Sequence, residues 1–493
     1  MFTDISTEGV NETMNKAWQA FRSYGKSSLK TRGELMRKIA TGLQSAADNL
    51  VPVAMKESHL PEARLRNELT RTVFQLTSYA DAAEKGQWLE VRIDTAEPAK
   101  IPPKPDLRKM LIPIGPVVVF GSSNFPFAYS TAGGDTASAL AAGCTVVVKA
   151  HPAHPETSAM VASIVTEAVQ ASHLPEHVFQ HVYGASFEVG KALVTHELTK
   201  AVGFTGSFSG GKALFDWGAQ RKVPIPVFAE MGSTNPVFLF PERLDNEAEA
   251  LAKQLAASIT LGVGQFCTKP GLIIGIDSDD LREFVKQLAF EVEKTLPGLM
   301  LHQGISDAFE KKKSLALARP GINFVAQSNE SVEGLMGRPT IAMVDGVTFL
   351  HDPILHQEVF GPWSLVISCS GKVEMKEVAE KLEGQLTISV MATEKDILNH
   401  QEIVSLAQQK CGRFIFNGVP TGVEVCLSMH HGGPYPSTSD PRFTSVGADA
   451  IKRFARPISF QNWPDSLLPE ELKNSNPLGI WRTVNSELVK SEI

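Results

Sequence analysis

The sequence predicts an α/β protein with two doubly wound parallel-sheet units and an extended β arm. Three observations predict it. Short apolar segments alternate with helical ones between 117 and 230, the alternation restarts after Pro236, and a proline-rich stretch at 88–112 precedes both. At 493 residues the chain is also too long for a single hydrophobic core.

Residues 11–84 read as helices, because Leu35, Ile39 and Leu43, and then Leu65, Leu69 and Val73, recur every four residues. At 88–112, Pro98, Pro102, Pro103 and Pro105 argue against helix or central sheet, leaving an extended arm or hairpin that departs from the main body. Strands follow at 117–120, 145–149, 178–182, 201–204 and 227–230, separated by helices at 130–142, 156–171, 187–194 and 209–218. Such an alternation builds a parallel sheet covered on both faces, whose ligands bind beyond the carboxyl ends of the strands. The second alternation opens with a helix bearing Leu251, Leu255 and Ile259, passes through Cys267 to a strand at 272–276, and continues with a helix carrying Leu281, Phe284, Leu288 and Val292. Further strands are expected near Thr348, Leu365 and Ile388. Residues 440–463 look like a return to the first unit or to a partner subunit, and the tail at 464–493 is polar and loosely patterned.

A net charge of −7 argues against nucleic acid or an anionic membrane as the main partner. Five widely spaced cysteines without a CxxC pair argue against a disulfide scaffold or zinc ribbon and fit a reducing compartment. The first twenty residues lack a basic stretch leading into an apolar core, and no apolar run approaches the ~20 residues of a membrane span. A cytoplasmic protein is expected.

Cys267 stands out within LGVGQFCTKPG, on a turn between helix and strand flanked by Gly262, Gly264 and Gly271. That setting leaves a sulfur accessible and a backbone N–H free to donate, which a nucleophilic thiol requires. A lone cysteine is more often a small buried hydrophobe, so the reading depends on partners elsewhere. Asn124 follows the strand at 117–120 and Lys149 ends the next one. FTGSFSGG at 204–211 has a strand–Gly–Ser–helix layout that offers N–H groups to phosphate. Glu230 ends the last strand of the series, where an apolar approach should raise its pKa towards that of a general base, and Glu358 lies beside a turn in HQEVFGP.

This ordered set resembles the aldehyde dehydrogenase superfamily over roughly residues 15–465. The matching motifs are SNFP at 123–126, VVVK at 146–149, FTGS at 204–207, AEMG at 229–232, GQFCT at 264–268 and QEVFGP at 357–362. AEMGSTNPVF at 229–238 and the long stretch at 429–462 are similar to the branch of bacterial 2-oxoglutarate semialdehyde (2,5-dioxopentanoate) dehydrogenases, which also has relatives acting on long-chain aldehydes.

The resemblance implies that Cys267 attacks the aldehyde carbon, that Asn124 and the Cys267 N–H hold the oxyanion, and that hydride leaves for NADP or NAD. A thioester remains, which Glu230 hydrolyses by activating water. Lys149 and Glu358 would hold the riboses, Gly206 and Ser207 would lie near the pyrophosphate, and Phe360 near the nicotinamide; no metal is implied. Phe125 would wall the substrate tunnel, and Arg71 is the candidate partner for a substrate carboxylate, against a competing reading as a surface partner of Glu68. Residues 1–87 and 113–236, with part of 430–463, would bind the cofactor; 237–429 would be catalytic; 88–112 and 464–493 would form the oligomerisation arm and tail of a homodimer or homotetramer.

Two departures bear on function. Where the family usually has two glycines and a lysine after the glutamate, Gly232 is followed by Ser233, Thr234 and Asn235. Pro152 stands where many members carry an acid that repels a 2′-phosphate, with His151 and His154 nearby, so NADP is favoured; Glu156 is the reason for caution. The rival readings are a broad-specificity relative, a non-catalytic relative, and a cofactor-independent cysteine hydrolase. The last is suggested only by HGGP at 431–434, without a GxSxG nucleophile elbow.

Overall fold

The computed structural model describes residues 2–493. Its first parallel sheet runs Phe179–Val182, Val146–Lys149, Val117–Phe120, Ala201–Thr205, Val227–Glu230. All four pairings are parallel, and the order reverses beside the central Val117–Phe120, which creates the crevice where such sheets bind ligands. Every residue of Val117–Phe120 and the three valines of Val146–Lys149 are buried, as a sheet covered on both faces demands.

The second sheet has seven strands in the order Asn323–Gln327, Thr340–Asp345, Trp363–Cys369, Leu272–Ile276, Val237–Leu239, Gln385–Met391, Cys411–Phe416. It is parallel except at the Asn323–Gln327 edge. A third, mainly antiparallel sheet of five short strands gathers Ala455–Gln461, Leu107–Pro113, Arg92–Asp94, Arg482–Val484 and Glu487–Val489.

Four expectations are corrected. The helix expected at 130–142 starts only at Gly134, because 130–133 form a turn that Gly133 and Gly134 close with N–H bonds to the carbonyls of Ser130 and Ala128. The strand expected near Thr348 is Thr340–Asp345; Thr348 lies in the helix Gly346–His351, whose N-cap Asp345 accepts its N–H at 2.8 Å. Within the proline-rich stretch, Leu107–Pro113 lies between two partner strands and is not confined to an edge, because the four prolines fall in the loop before it. The polar tail forms a hairpin, Arg482–Val484 with Glu487–Val489, turned by Asn485 and Ser486 at φ 48° and 73°.

The segment 440–463 supplies both the strand Ala455–Gln461, paired residue for residue with Leu107–Pro113, and an inward turn. On that turn, Arg453 meets Asp135 of the helix Gly134–Ala142 at 2.7 Å.

Candidate active site

Cys267 sits on the turn between Leu261–Gly264 and Leu272–Ile276, partly open to solvent. The approach to it is unusual. Gly262, Val263 and Gly264 all adopt left-handed backbone, at φ 54°, 59° and 62°. For β-branched Val263 this costs on the order of 1–3 kcal/mol, held by surrounding packing. A Cβ on Gly264 would stand 2.3 Å from the Gly361 carbonyl oxygen, so only glycine lets the Cys267 turn lie against the turn that carries Glu358 and Phe360.

Glu230 ends its strand within reach of this thiol. The ligating atoms of Glu230, Cys267 and His431 all lie within 4.8 Å of one another. His431 Nε2 is 3.6 Å from Cys267 Sγ and 3.2 Å from Glu230 Oε1. The same ring nitrogen therefore faces both partners, unlike a linear triad, in which opposite nitrogens are used. Ser445 donates to Glu230 Oε2 at 3.1 Å, and its backbone N–H donates to the His431 carbonyl at 2.8 Å.

His431 and Ser445 were not assigned from sequence. The quoted HGGP is where the histidine stands, but no local pattern places it opposite Glu230.

The expected direction of the Glu230 shift is overturned. Burial pushes its carboxyl up, but the neighbouring His431, the hydrogen bond from Ser445 and the nearby Cys267 thiol outweigh burial and hold it below the ordinary carboxylate value. Cys267 moves the other way: burial and the Glu230 charge push its thiol well above the ordinary value. The resting arrangement is an ionised carboxylate beside a protonated thiol, with His431 Nε2 within reach of both.

Asn124 is buried and donates from Nδ2 to the Gln265 carbonyl at 3.1 Å, which brings its amide to the turn that carries Cys267. Arg64 holds it there, donating to the Asn124 carbonyl at 2.7 Å while lying over the rings of Phe125 and Phe266 at 5.0 and 4.7 Å. Phe125 packs edge-on against Tyr129 and Phe266.

Arg71 is not a surface partner of Glu68. It donates to the Tyr129 hydroxyl at 3.2 Å, whereas buried Glu68 accepts the N–H groups of Phe127 and Ala128. The other terminal nitrogen of Arg71, Nη1, is buried without a hydrogen-bond partner among the described residues, and the Arg71 charge favours the thiolate of Cys267. Arg413, unassigned from sequence, also acts electrostatically on Cys267 and Tyr129, and its buried Nε is likewise unpartnered among the described residues.

Ser233, Thr234 and Asn235, which follow Gly232 where the family usually has a second glycine and a lysine, are held by a shared set of hydrogen bonds. The Gln385 side-chain oxygen accepts from Ser233 Oγ, Thr234 N and Asn235 N at 2.7, 2.8 and 3.2 Å. Asn235 Nδ2 donates to the carbonyls of Cys267 and Lys269 at 2.9 and 3.0 Å, tying the Cys267 turn to the segment that follows Glu230. Gly232 is required beside them: its φ is 114°, and a Cβ would stand 2.6 Å from Glu358 Oε2.

Along the crevice, burial lowers the Lys149 ammonium to about 8, and its one hydrogen bond is to the neighbouring Ala150 carbonyl at 3.3 Å. This is a desolvated cation rather than a solvated edge charge. The Gly206 N–H is spent on the Glu230 carbonyl, and Ser207 Oγ caps the helix Phe208–Ala219 by accepting from Gly210. A phosphate there would meet the first-turn amides of that helix, not the Gly206 amide. Glu358 has its carboxyl raised by burial, against the opposing pull of Lys312 and Lys269. Phe360 is half-buried. A desolvated, unpaired lysine and a capped helix start at the carboxyl ends of a doubly wound sheet fit a dinucleotide.

A cysteine turn meeting a buried carboxylate beside the crevice of a doubly wound sheet fits a cysteine-dependent α/β dehydrogenase, and comparison with known proteins specifies the class. The sequence profile of the aldehyde dehydrogenase family matches residues 1–456, and the chain belongs to that family. It is an NAD(P)-dependent oxidoreductase acting on aldehydes. It is 44% identical to alpha-ketoglutaric semialdehyde dehydrogenase 2 of Azospirillum brasilense over 96% of this chain and 90% of that protein. It is 42% identical to alpha-ketoglutaric semialdehyde dehydrogenase of Acinetobacter baylyi over 100% and 93%. Among solved structures, a mutant of 1-pyrroline-5-carboxylate dehydrogenase from Thermus thermophilus shares the fold at TM-score 0.78 and 20% identity, over 93% of this chain and 86% of that one. A structure of 1-pyrroline-5-carboxylate dehydrogenase from Thermus contains bound NAD (TM-score 0.77, 20% identity, 93% and 86% coverage). Among the described residues no helix is long and apolar enough to cross a membrane.

Proposed function

We propose that this chain oxidises 2-oxoglutarate semialdehyde (2,5-dioxopentanoate) to 2-oxoglutarate through a thioester on Cys267. The observation that carries the chemistry is the meeting of Cys267, His431 and Glu230 within 4.8 Å. The substrate follows from the two relatives above and from Arg71 and Arg413, whose unpartnered buried nitrogens offer donors to a distal carboxylate.

Cys267 Sγ attacks the aldehyde carbon as its proton passes to the imidazole–carboxylate pair. The Asn124 amide turns from the Gln265 carbonyl to the new oxyanion, joined by the Cys267 N–H; each such donor is worth about 3–4 kcal/mol. A bound nicotinamide supplies the hydride acceptor. Glu230 and His431 then take a proton from the water that hydrolyses the thioester, releasing the carboxylic acid and the free thiol.

Lys149 and Glu358 hold the riboses, Gly206 and Ser207 border the pyrophosphate, Phe360 packs at the nicotinamide end, and Phe125 walls the tunnel. NADP is favoured over NAD, because position 152 is proline and Lys149 lacks a hydrogen-bonded anion. A carboxylate does reach the following helix start, but Glu57 is spent there on the N–H groups of Glu156 and Thr157. The five-stranded sheet is the oligomerisation surface of a homodimer or homotetramer, with the open edge strand Ala455–Gln461 and Ile101 fully in solvent at the arm's tip.

The test is a panel of aldehydes assayed with both cofactors. Expected is a kcat/KM for 2-oxoglutarate semialdehyde well above those for succinate semialdehyde and hexanal, higher with NADP. Equal or better use of hexanal would overturn the substrate, and strict use of NAD would overturn the cofactor preference.

A further inference from the structure

We propose that Cys267, His431 and Glu230 also form a zinc-binding site that switches the enzyme off. This goes beyond the catalytic reading and does not depend on which aldehyde is oxidised.

The spacing carries the inference. Zinc–ligand bonds of about 2.3 Å to sulfur and about 2.0–2.2 Å to nitrogen and oxygen, at tetrahedral angles, require edges of about 3.6 Å for S···N and about 3.4 Å for N···O. The observed separations are 3.6 Å for Cys267 Sγ to His431 Nε2 and 3.2 Å for His431 Nε2 to Glu230 Oε1. The third edge is at most 4.8 Å, and rotation of the carboxylate about its soft terminal torsion closes it. Ligand chemistry agrees: a thiolate, an imidazole and a carboxylate are the groups zinc takes, and three protein ligands leave the fourth position open. A cysteine–glutamate pair alone would offer only two ligands; His431 completes the set.

The surroundings are built as well. Ser445 Oγ donates to Glu230 Oε2 at 3.1 Å, giving the oxygen that would not ligate its own partner. The His431 N–H donates to Thr444 Oγ1 at 2.9 Å, and the Ser445 N–H to the His431 carbonyl at 2.8 Å, so the histidine backbone is clamped on both sides. Such outer contacts orient ligands and strengthen metal binding. Coordination releases the thiol proton to solvent and leaves the imidazole neutral, protonated on Nδ1, with Nε2 on the metal. The bound ion then occupies the sulfur lone pair that attacks the aldehyde.

The test uses the full-length protein, stripped with a chelator and titrated with zinc alone. Expected is one high-affinity zinc per chain, a zinc-dependent rise in melting temperature, and protection of Cys267 from iodoacetamide, mapped by peptide mass spectrometry and reversed by chelator. Cobalt in place of zinc should show a thiolate charge-transfer band that is lost in Cys267→Ala. Cys267→Ala and His431→Gln should each weaken binding beyond the roughly 100-fold that loss of an outer contact costs. Cys426→Ser, at an exposed thiol, should leave it unchanged. Zinc that fails to protect Cys267 in the wild-type protein would overturn the proposal even if a variant failed to fold. So would equal affinity in Cys267→Ala, or zinc held instead by His151, whose ring lies 5.4 Å from that of His154 and 6.0 Å from that of His302.

Discussion

Replacing Glu230 with glutamine should move two observables in opposite directions. The carboxylate stands within 4.8 Å of the Cys267 sulfur. At an effective dielectric of ~20, two negative charges that far apart repel by about 3.5 kcal/mol. That is about two and a half decades in thiolate population at fixed pH, with about 1.36 kcal/mol per decade. Sharing of the proton with His431, 3.6 Å from the sulfur, reduces the effect, so a tenfold gain or more (~1.4 kcal/mol) is the working expectation. Glu230→Gln should therefore alkylate faster with iodoacetamide at neutral pH, with the midpoint of its pH–rate profile moved down. The wild-type midpoint should lie above that of an ordinary thiol, because burial and the Glu230 charge both raise it. Aldehyde turnover should fall by roughly 10²–10⁴, the range for losing a general base. Alkylation no faster in the variant at any pH would refute the electrostatic picture, whatever happened to turnover.

Asn235→Ala removes the Nδ2 bonds to the Cys267 and Lys269 carbonyls and the bond accepted from Thr387 Oγ1. At about 1 kcal/mol each, with an added penalty for alanine at φ 45°, it should lose about 3–4 kcal/mol in urea unfolding. Asn124→Ala should lower kcat by about 10²–10³ while leaving iodoacetamide alkylation near wild type, since it removes an oxyanion donor and not the thiol. Arg71→Ala and Arg413→Ala should each raise KM for 2-oxoglutarate semialdehyde about tenfold more than KM for hexanal, equivalent to one charge-assisted hydrogen bond. Lys149→Ala should raise the Kd for NADP more than that for NAD, measured by fluorescence titration.

Much of the scaffold was legible because a doubly wound sheet writes itself as buried valine runs. VVVF at 117–120 and VVVK at 146–149 read as strands at once, and Glu230, Asn124 and Cys267 stand at or beside strand ends, where short motifs mark them. What escaped reading depends on distance in space. His431 lies 164 residues from Cys267, Gln385 lies 150 from Asn235, and neither has a local pattern that names its partner. The tail hairpin was missed because its turn, Asn485–Ser486, lacks the glycine that usually marks a two-residue hairpin. The Glu230 shift was misjudged for the same reason as His431: an apolar flanking sequence reports burial but not the histidine that offsets it.

The most direct test is to trap the acyl group. Glu230→Gln enzyme in molar excess over 2-oxoglutarate semialdehyde, with NADP or NAD, should release one reduced cofactor per aldehyde and carry the acyl mass as a thioester on the Cys267 peptide. Reduced cofactor without an adduct, or an adduct on Cys411 or Cys426, would contradict the account.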